Sequence, residues 1–256
     1  MHCNSDSFRL NGSSLVRKLT LALGAAAILA VGKVSAAPLD LESLAARLPD
    51  MGEIHLHMFK AEQADGYMRL GWKQDGQELH VFDRTMMPSA EIYEAFNARL
   101  DAASLQPKQV EIEFHSGLQT LKVDYRSASG NGVLSRELLS PVAEPKRSEA
   151  ELELAPGVLL RAFSFLLPLV DDSAVGDTIE YTWFEPMSRE PTAAVRLHVA
   201  EGGPVQAGDS ALDTLRYELR GSSPENDIYV SKQTPRKVLR IDVLGTDLQF
   251  RAPATP

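Results

Sequence analysis

The residues best suited to chemistry are His55 and His57, two imidazoles one residue apart. On a strand that spacing puts both rings on one face, and paired ring nitrogens are a known way to begin a zinc site, which needs at least a third protein ligand. His80 has the same facing. In a meander, however, its strand lies two strand spacings from that of His55, about 9–10 Å, too far to share an ion. The alternative is a pair of solvent-facing histidines on a polar sheet face, and no metal is assigned. Nucleophilic catalysis has less to build on. There is no Gly-x-Ser-x-Gly elbow, the one cysteine is Cys3, and His115-Ser116 falls at an expected strand end where a turn explains it. Asp171-Asp172 and Glu111-x-Glu113 are carboxylate pairs of the kind found on wet faces, with nothing to select a glycosidase arrangement. Ser129-Gly130-Asn131-Gly132 lacks the strand-to-helix setting of a phosphate loop. The sequence therefore assigns no enzyme class and no cofactor.

Alternation of apolar and polar residues predicts strands through most of the chain. Ile54, Leu56 and Met58, then Met68, Leu70 and Trp72, then Leu79 and Val81 form a first meander, with Asp65-Gly66 and Asp75-Gly76 as hairpin turns. Val110, Ile112 and Phe114 begin a second series, followed by Leu121, Val123 and Tyr125, an Asn131-Gly132 turn, and a strand over 133–139. Ile179, Tyr181 and Trp183, and then Val195, Leu197 and Val199, lead through a Gln206-Ala207-Gly208 turn into a closing three-stranded meander. Its inward residues are Leu215, Tyr217, Leu219, Leu239, Ile241 and Val243.

Helical spacing predicts a short helix over 41–48, stopped by Pro49, and a second over 89–103 with Ser89 as N-cap. That second segment either packs on the sheet or in part forms a lid over a cavity. A third helix spans 158–167, and Pro168 ends or kinks it. The polar stretch 141–151, with two prolines, reads as a surface loop.

The first 37 residues carry Arg9, Arg17 and Lys18, an apolar stretch over 19–31, and Val34-Ser35-Ala36, the order of a secretory signal peptide. Cleavage is expected after Ala36 or Ala37, which exports the mature chain from the cytoplasm. The full chain of 256 residues has 26 basic and 35 acidic residues. Removing Arg9, Arg17, Lys18, Lys33 and Asp6 leaves 22 and 34, a net charge of −12 with His neutral. That acidity, with no basic cluster beyond Lys146-Arg147 and Arg236-Lys237, argues against a nucleic-acid partner.

Large apolar residues point elsewhere. Trp72, Phe96, Phe114, Phe163, Leu166, Trp183, Tyr217, Leu239 and Ile241 suffice to line the inside of a curved sheet, as do Phe82 and Phe165. Small barrels either fill that space with side chains or hold one ligand in it.

Leu105-Gln106-Pro107, Leu167-Pro168-Leu169 followed by Gly176, Ala207-Gly208, Tyr229-Val230 and Arg236-Lys237-Val238-Leu239-Arg240 together resemble a family of uncharacterised Gram-negative periplasmic proteins. That family has a domain of unknown function similar in fold to the lipoprotein-localisation factors LolA and LolB. Tyr229 stands where the family pattern has a tryptophan. The resemblance covers roughly residues 52–250 and implies a mainly β single domain over 38–256: a strongly curved antiparallel sheet forming an incomplete barrel, with helices covering its mouth. It further implies the periplasm as the location, and that the nine residues from Trp72 to Ile241 named above bind a lipid or other hydrophobic ligand without covalent chemistry. An envelope interaction or scaffold protein with a filled core is the alternative, with another envelope protein as partner, and a metal-dependent hydrolase using His55 and His57 is the third reading. Fold alone does not choose among them.

Overall fold

The computed structural model describes residues 39–128 and 131–253; the expected signal peptide lies outside them. The first half of the chain is a run of strands of 10 to 13 residues: β1 (Met51–Lys60), β2 (Gln63–Asp75), β3 (Glu78–Met87), β4 (Ile92–Asp101), β5 (Pro107–Ser116), β6 (Gln119–Ala128), β7 (Asn131–Ser140) and β8 (Ala143–Glu153). The second half is less even: β9 (Val158–Leu160), β10 (Thr178–Phe184), β11 (Thr192–Ala207), β12 (Ser210–Arg220), β13 (Asn226–Ser231), β14 (Val238–Val243) and β15 (Leu248–Arg251). They form one sheet, ordered β8-β7-β6-β5-β4-β3-β2-β1-β15-β14-β13-β12-β11-β10-β9. The pairing of β1 with β15 joins the two halves, so the free edges are β8 and β9, and the curved sheet does not close into a barrel.

All strand pairs are antiparallel except β9 with β10. Between those two runs α2 (Phe163–Val170), while α1 (Leu41–Arg47) precedes β1. Asp40 caps α1 by accepting a hydrogen bond from the Ser43 amide (3.0 Å), which satisfies one of the free donors of the first turn. The mainly β fold follows the alternation read in the sequence, and the curved sheet that stays open is as the resemblance implies; of the three helices expected, two are present.

Strand alternation decides what is inside. In β1 Ile54, Leu56 and Met58 are buried, whereas His55 and His57 are exposed. The inner face meets α2, whose Phe163, Leu166 and Leu167 are fully buried. A helix apolar on nearly every side belongs in an interior, and here it occupies the space enclosed by the sheet. Tyr125 and Phe184 meet edge to face at 5.0 Å across that interior.

Several local expectations are corrected. Residues 89–103 form no helix: Pro88–Ala90 is a 3₁₀ turn and β4 follows. Glu94, Phe96, Ala98 and Leu100 are its inward residues. A buried glutamate in the first of those positions masks the alternation, and the remaining apolar residues then mimic a helical stripe. Ser89 caps nothing and donates instead to Asp65, from its amide at 2.9 Å and from its hydroxyl.

Residues 141–151 are mostly strand, since β8 is polar on both faces as an edge strand is permitted to be. Asp65-Gly66 lies inside β2 at a register shift, and the turn before it is Ala61-Glu62, both at positive φ, the conformation a two-residue hairpin needs. Gly76 turns β2 into β3 as expected, at φ 61. Asn131 and Gly132 begin β7, paired with Ala128 and Ser127, and residues 129–130 lie outside the described set. The stretch over 158–167 splits into β9 and the start of α2, with Pro168 inside the helix. The closing meander gains a fourth short strand, β15, that reaches β1. Phe82 faces outward, flanked by the Arg69 and Arg84 guanidiniums at 5.5 and 5.9 Å from its ring centre.

Candidate functional site: a groove at the helix-capped end

At the end of the sheet where β1 begins, a groove of about 1070 Å³ opens beside α2, at the upper end of the usual ligand-pocket range of about 300–1,000 Å³. Its apolar lining includes Ile54, Trp72, Leu169, Val170, Val238 and Leu239. Its rim carries Arg47, Glu53, His55, Asp172, Arg236 and Lys237.

Local sequence explains the lining. Gly52 lies directly opposite Trp72 in the β1–β2 pairing, and a Cβ at Gly52 would sit 2.1 Å from the indole ring, so only glycine lets the ring lie flat over β1. The indole Nε1 donates to the Pro49 carbonyl (2.9 Å), fixing the ring against the end of α1. On β14, the register shift opposite Tyr229 and Val230 lets two successive residues, Val238 and Leu239, both be buried. Val238 joins the main core, while Leu239 is buried outside that cluster.

The polar side of the groove is organised on the last turn of α2. Arg236 donates through Nη1 to the carbonyls of Asp171 (2.5 Å) and Pro168 (3.3 Å) and to the Tyr217 hydroxyl (2.9 Å). A cation here meets both the unsatisfied carbonyls of a helix C-terminus and the negative end of its dipole. The Tyr217 hydroxyl in turn donates to Asp171 Oδ2 (3.2 Å). Burial, followed by the nearby Asp171 charge, pushes this phenol well above its ordinary range, so it remains a neutral donor. Arg47 of α1 reaches Asp172 at 2.9 Å, and its hydrogen bond holds that exposed carboxyl below the usual range. On the opposite rim the hydrogen bond from Arg69 lowers Glu53. Lys237 is exposed and has no ion-pair partner among the described residues. The arrangement offers an apolar floor beside a rim of fixed, mixed charges.

The residues proposed from sequence divide between two places. Trp72 and Leu239 line the groove, and Tyr217 stands behind it. Phe96, Phe163, Leu166, Trp183 and Ile241 are buried together in the core, and Phe114 is half-buried against it. Phe165 is also partly buried at the core's margin. His55 and His57 are exposed neighbours with ring centres 5.5 Å apart, His80 instead approaches Glu78 (3.5 Å), and no group of three or more His, Cys, Asp or Glu able to hold a metal occurs among the described residues.

Sequence reasoning missed a charged cluster at the other end of α2. Arg161 is ion-paired to Glu94 of β4 and to Glu185 after β10, the latter at 2.8 Å, and lies 5.6 Å from the Phe96 ring centre. Asp83 of β3 lies nearby; burial raises its carboxyl, opposed by the Arg161 charge and the Thr85 hydroxyl. Arg136 of β7 donates to the carbonyls of Pro186 (2.8 Å) and Ser188 (2.5 Å). The cluster thus ties β4 and β7 of the first half to the segment after β10 in the second, where no strand pairing does so. The available signals were Arg161 interrupting an apolar run and Glu94 at what is an inward strand position.

Among solved structures, the chain is similar to a β-barrel-like protein of domain of unknown function DUF1849 from Brucella abortus. The two are 12% identical, the match covers 80% of this chain and 94% of that chain, and the TM-score is 0.47. No family model matches the sequence, and no curated protein matches it.

Proposed function

We propose that this is a periplasmic, non-enzymatic binding protein whose ligand is a lipid or other hydrophobic molecule seated in the groove at the helix-capped end of the half-barrel. The observation that carries the proposal is the groove itself: about 1070 Å³, floored by Ile54, Trp72, Val238 and Leu239 and rimmed by Arg47, Arg236 and Lys237. Apolar area beside a few fixed polar groups is the usual make-up of a small-molecule site; the rim is of mixed charge, with Arg47 paired to Asp172 and Glu53 on the opposite side, and Lys237 is its exposed cation. The interior is taken up by α2, so the seat is assigned to the groove and not to a hollow within the sheet. The signal-like residues 1–37 supply the expected address, and the LolA-like resemblance supplies the expected ligand class.

Native mass spectrometry of protein purified from periplasm, followed by organic extraction, should find a bound apolar molecule. A fluorescent fatty acid should bind, and Leu239→Arg should weaken it about tenfold or more by placing a charge on the floor. Protein that carries no extractable molecule and does not bind the probe would overturn the proposal. A second reading, an envelope scaffold without a ligand, is favoured by the filled interior. It predicts a protein partner recovered by crosslinking in cells, with the probe unbound.

A further inference from the structure

β8 ends the sheet, and no strand among the described residues pairs with its outer edge. Ten of its eleven residues are exposed; only Leu152 is half-buried. An exposed edge of that length, about 36 Å at the usual antiparallel rise, is a template for another strand unless it is guarded by charge, proline or a bulge. Pro145 lies at a register shift, where β8 passes two residues while β7 passes one, so the guard is confined to the hairpin end and 146–153 continues regularly. The remaining guard is charge, in the order Lys146, Arg147, Ser148, Glu149, Ala150, Glu151, Leu152, Glu153.

That order is self-complementary. We propose that the outer edge of β8 docks a second copy of this chain, the two β8 strands pairing antiparallel about a two-fold axis at Ser148. Residues directly opposite in such a pair share a face, so the possible axes pass through single residues. Axes at Lys146, Arg147, Glu149 or Glu151 set a charge against its own copy, and an axis at Ala150 sets Glu149 against Glu151. Only the axis at Ser148 sets Arg147 against Glu149 twice and leaves no like charges opposite, the arrangement that cross-strand pairing favours. An isologous contact of this kind closes as a dimer. Arg147 is prepared for it: Nε and Nη2 both reach Glu137 Oε1 at 2.7 Å, leaving Nη1 for the second copy's glutamate. The polar trough of about 710 Å³ on the outer face includes Arg147 and Glu149 at its β8 side, so it would run on into the second copy.

Sedimentation equilibrium on protein purified from cells expressing the full chain tests this. The expected result is a dimer whose dissociation constant rises about tenfold or more in Arg147→Glu and in Glu149→Arg, and returns to within about threefold of the parent in the double reversal. The double variant, like Arg147→Glu, lacks the pair with Glu137, so recovery reports the contact between copies. Hydrogen exchange keeps the test open should a variant fail to fold: amides of residues 146–150 in the parent should gain protection as concentration rises. A chain monomeric at every concentration, a dimer indifferent to either reversal, a double variant no tighter than the singles, or protection that does not change with concentration would each overturn the proposal.

Discussion

The two ends of α2 are each held by one arginine, in opposite ways. At the helix-capped end Arg236 meets neutral acceptors, two carbonyls and a phenol. At the other end Arg161 meets two carboxylates, Glu94 and Glu185, themselves nearly buried. The titrations differ accordingly. Hydrogen bonds from Arg47 and from Ser104 lower Asp172 and Asp101 beside α1, whereas burial raises Asp83 near Arg161. At the helix-capped end the exposed carboxyls Asp172 and Asp101 are set by hydrogen bonding, with burial acting there on the Tyr217 phenol; at the other end burial acts on a carboxyl, Asp83. A polar cluster of the second kind adds little net stability while complete, but it is costly to break, because a carboxylate stranded in a dry site cannot recover its solvation.

Breaking the dry end should therefore have the larger effect. Arg161→Met leaves Glu94 and Glu185 without their cation, and the expected loss is about 3–5 kcal/mol, measured by urea denaturation at pH 7. Lowering the pH should return part of it, since protonation removes the stranded charge. A loss below about 1 kcal/mol, or one that acid does not reduce, would remove the distinction between the two ends. Arg236→Met at the wet end leaves carbonyls and a phenol near a groove that water can enter. The expected loss is about 1–3 kcal/mol with little dependence on pH between 5 and 7, together with weaker binding of the fluorescent fatty acid.

The wet end was also the more legible in the sequence. Pro49 closing α1, the strand through Trp72 and the Gly76 turn could all be placed, because period-two alternation and turn residues are local signals; Arg236-Lys237 was visible as a basic pair, but not its place at the end of α2. The dry end was not legible, for one physical reason. Its strand β4 carries Glu94 at an inward position, which breaks the alternation that identifies strands, and the cation that makes this tolerable is Arg161, 67 positions away in the sequence. No local pattern contains that pair. The edge strand β8 was missed for the converse reason: with both faces in solvent, it has no apolar face to alternate. Of the proposed binding residues, sequence identified large apolar side chains that are indeed mostly inside. It could not tell the few on the groove from those packed on α2, because that depends on where a helix of eight residues comes to rest.

The smallest expected effect sharpens the contrast by its sign. Asp101 lies at the helix-capped end, where β4 leaves toward β5. It accepts from the Ser104 amide (3.0 Å) and hydroxyl (2.9 Å) and pairs with Lys108 (3.2 Å). The Ser104 bonds and the Lys108 pair outweigh a modest burial cost and lower its carboxyl to about 2, below the roughly 3.9 of an unfolded aspartate. A depressed carboxylate contributes stability that is complete above the unfolded pKa and is lost as pH falls through the folded one. Because the side chain is about a third exposed, the contribution is discounted for solvent screening to under about 1 kcal/mol. Asp101→Asn should accordingly be slightly less stable than the parent at pH 5, and the two denaturation curves should converge between about pH 4 and pH 2. Asp83, raised by burial, contributes with the opposite sign, since its folded form binds the proton more readily than the unfolded chain does. Asp83→Asn should therefore gain on the parent as pH rises above about 4, a range in which the difference between Asp101→Asn and the parent is already complete and changes no further; an Asp83→Asn variant that instead loses ground to the parent as pH rises would mean that both ends of α2 are solvated alike.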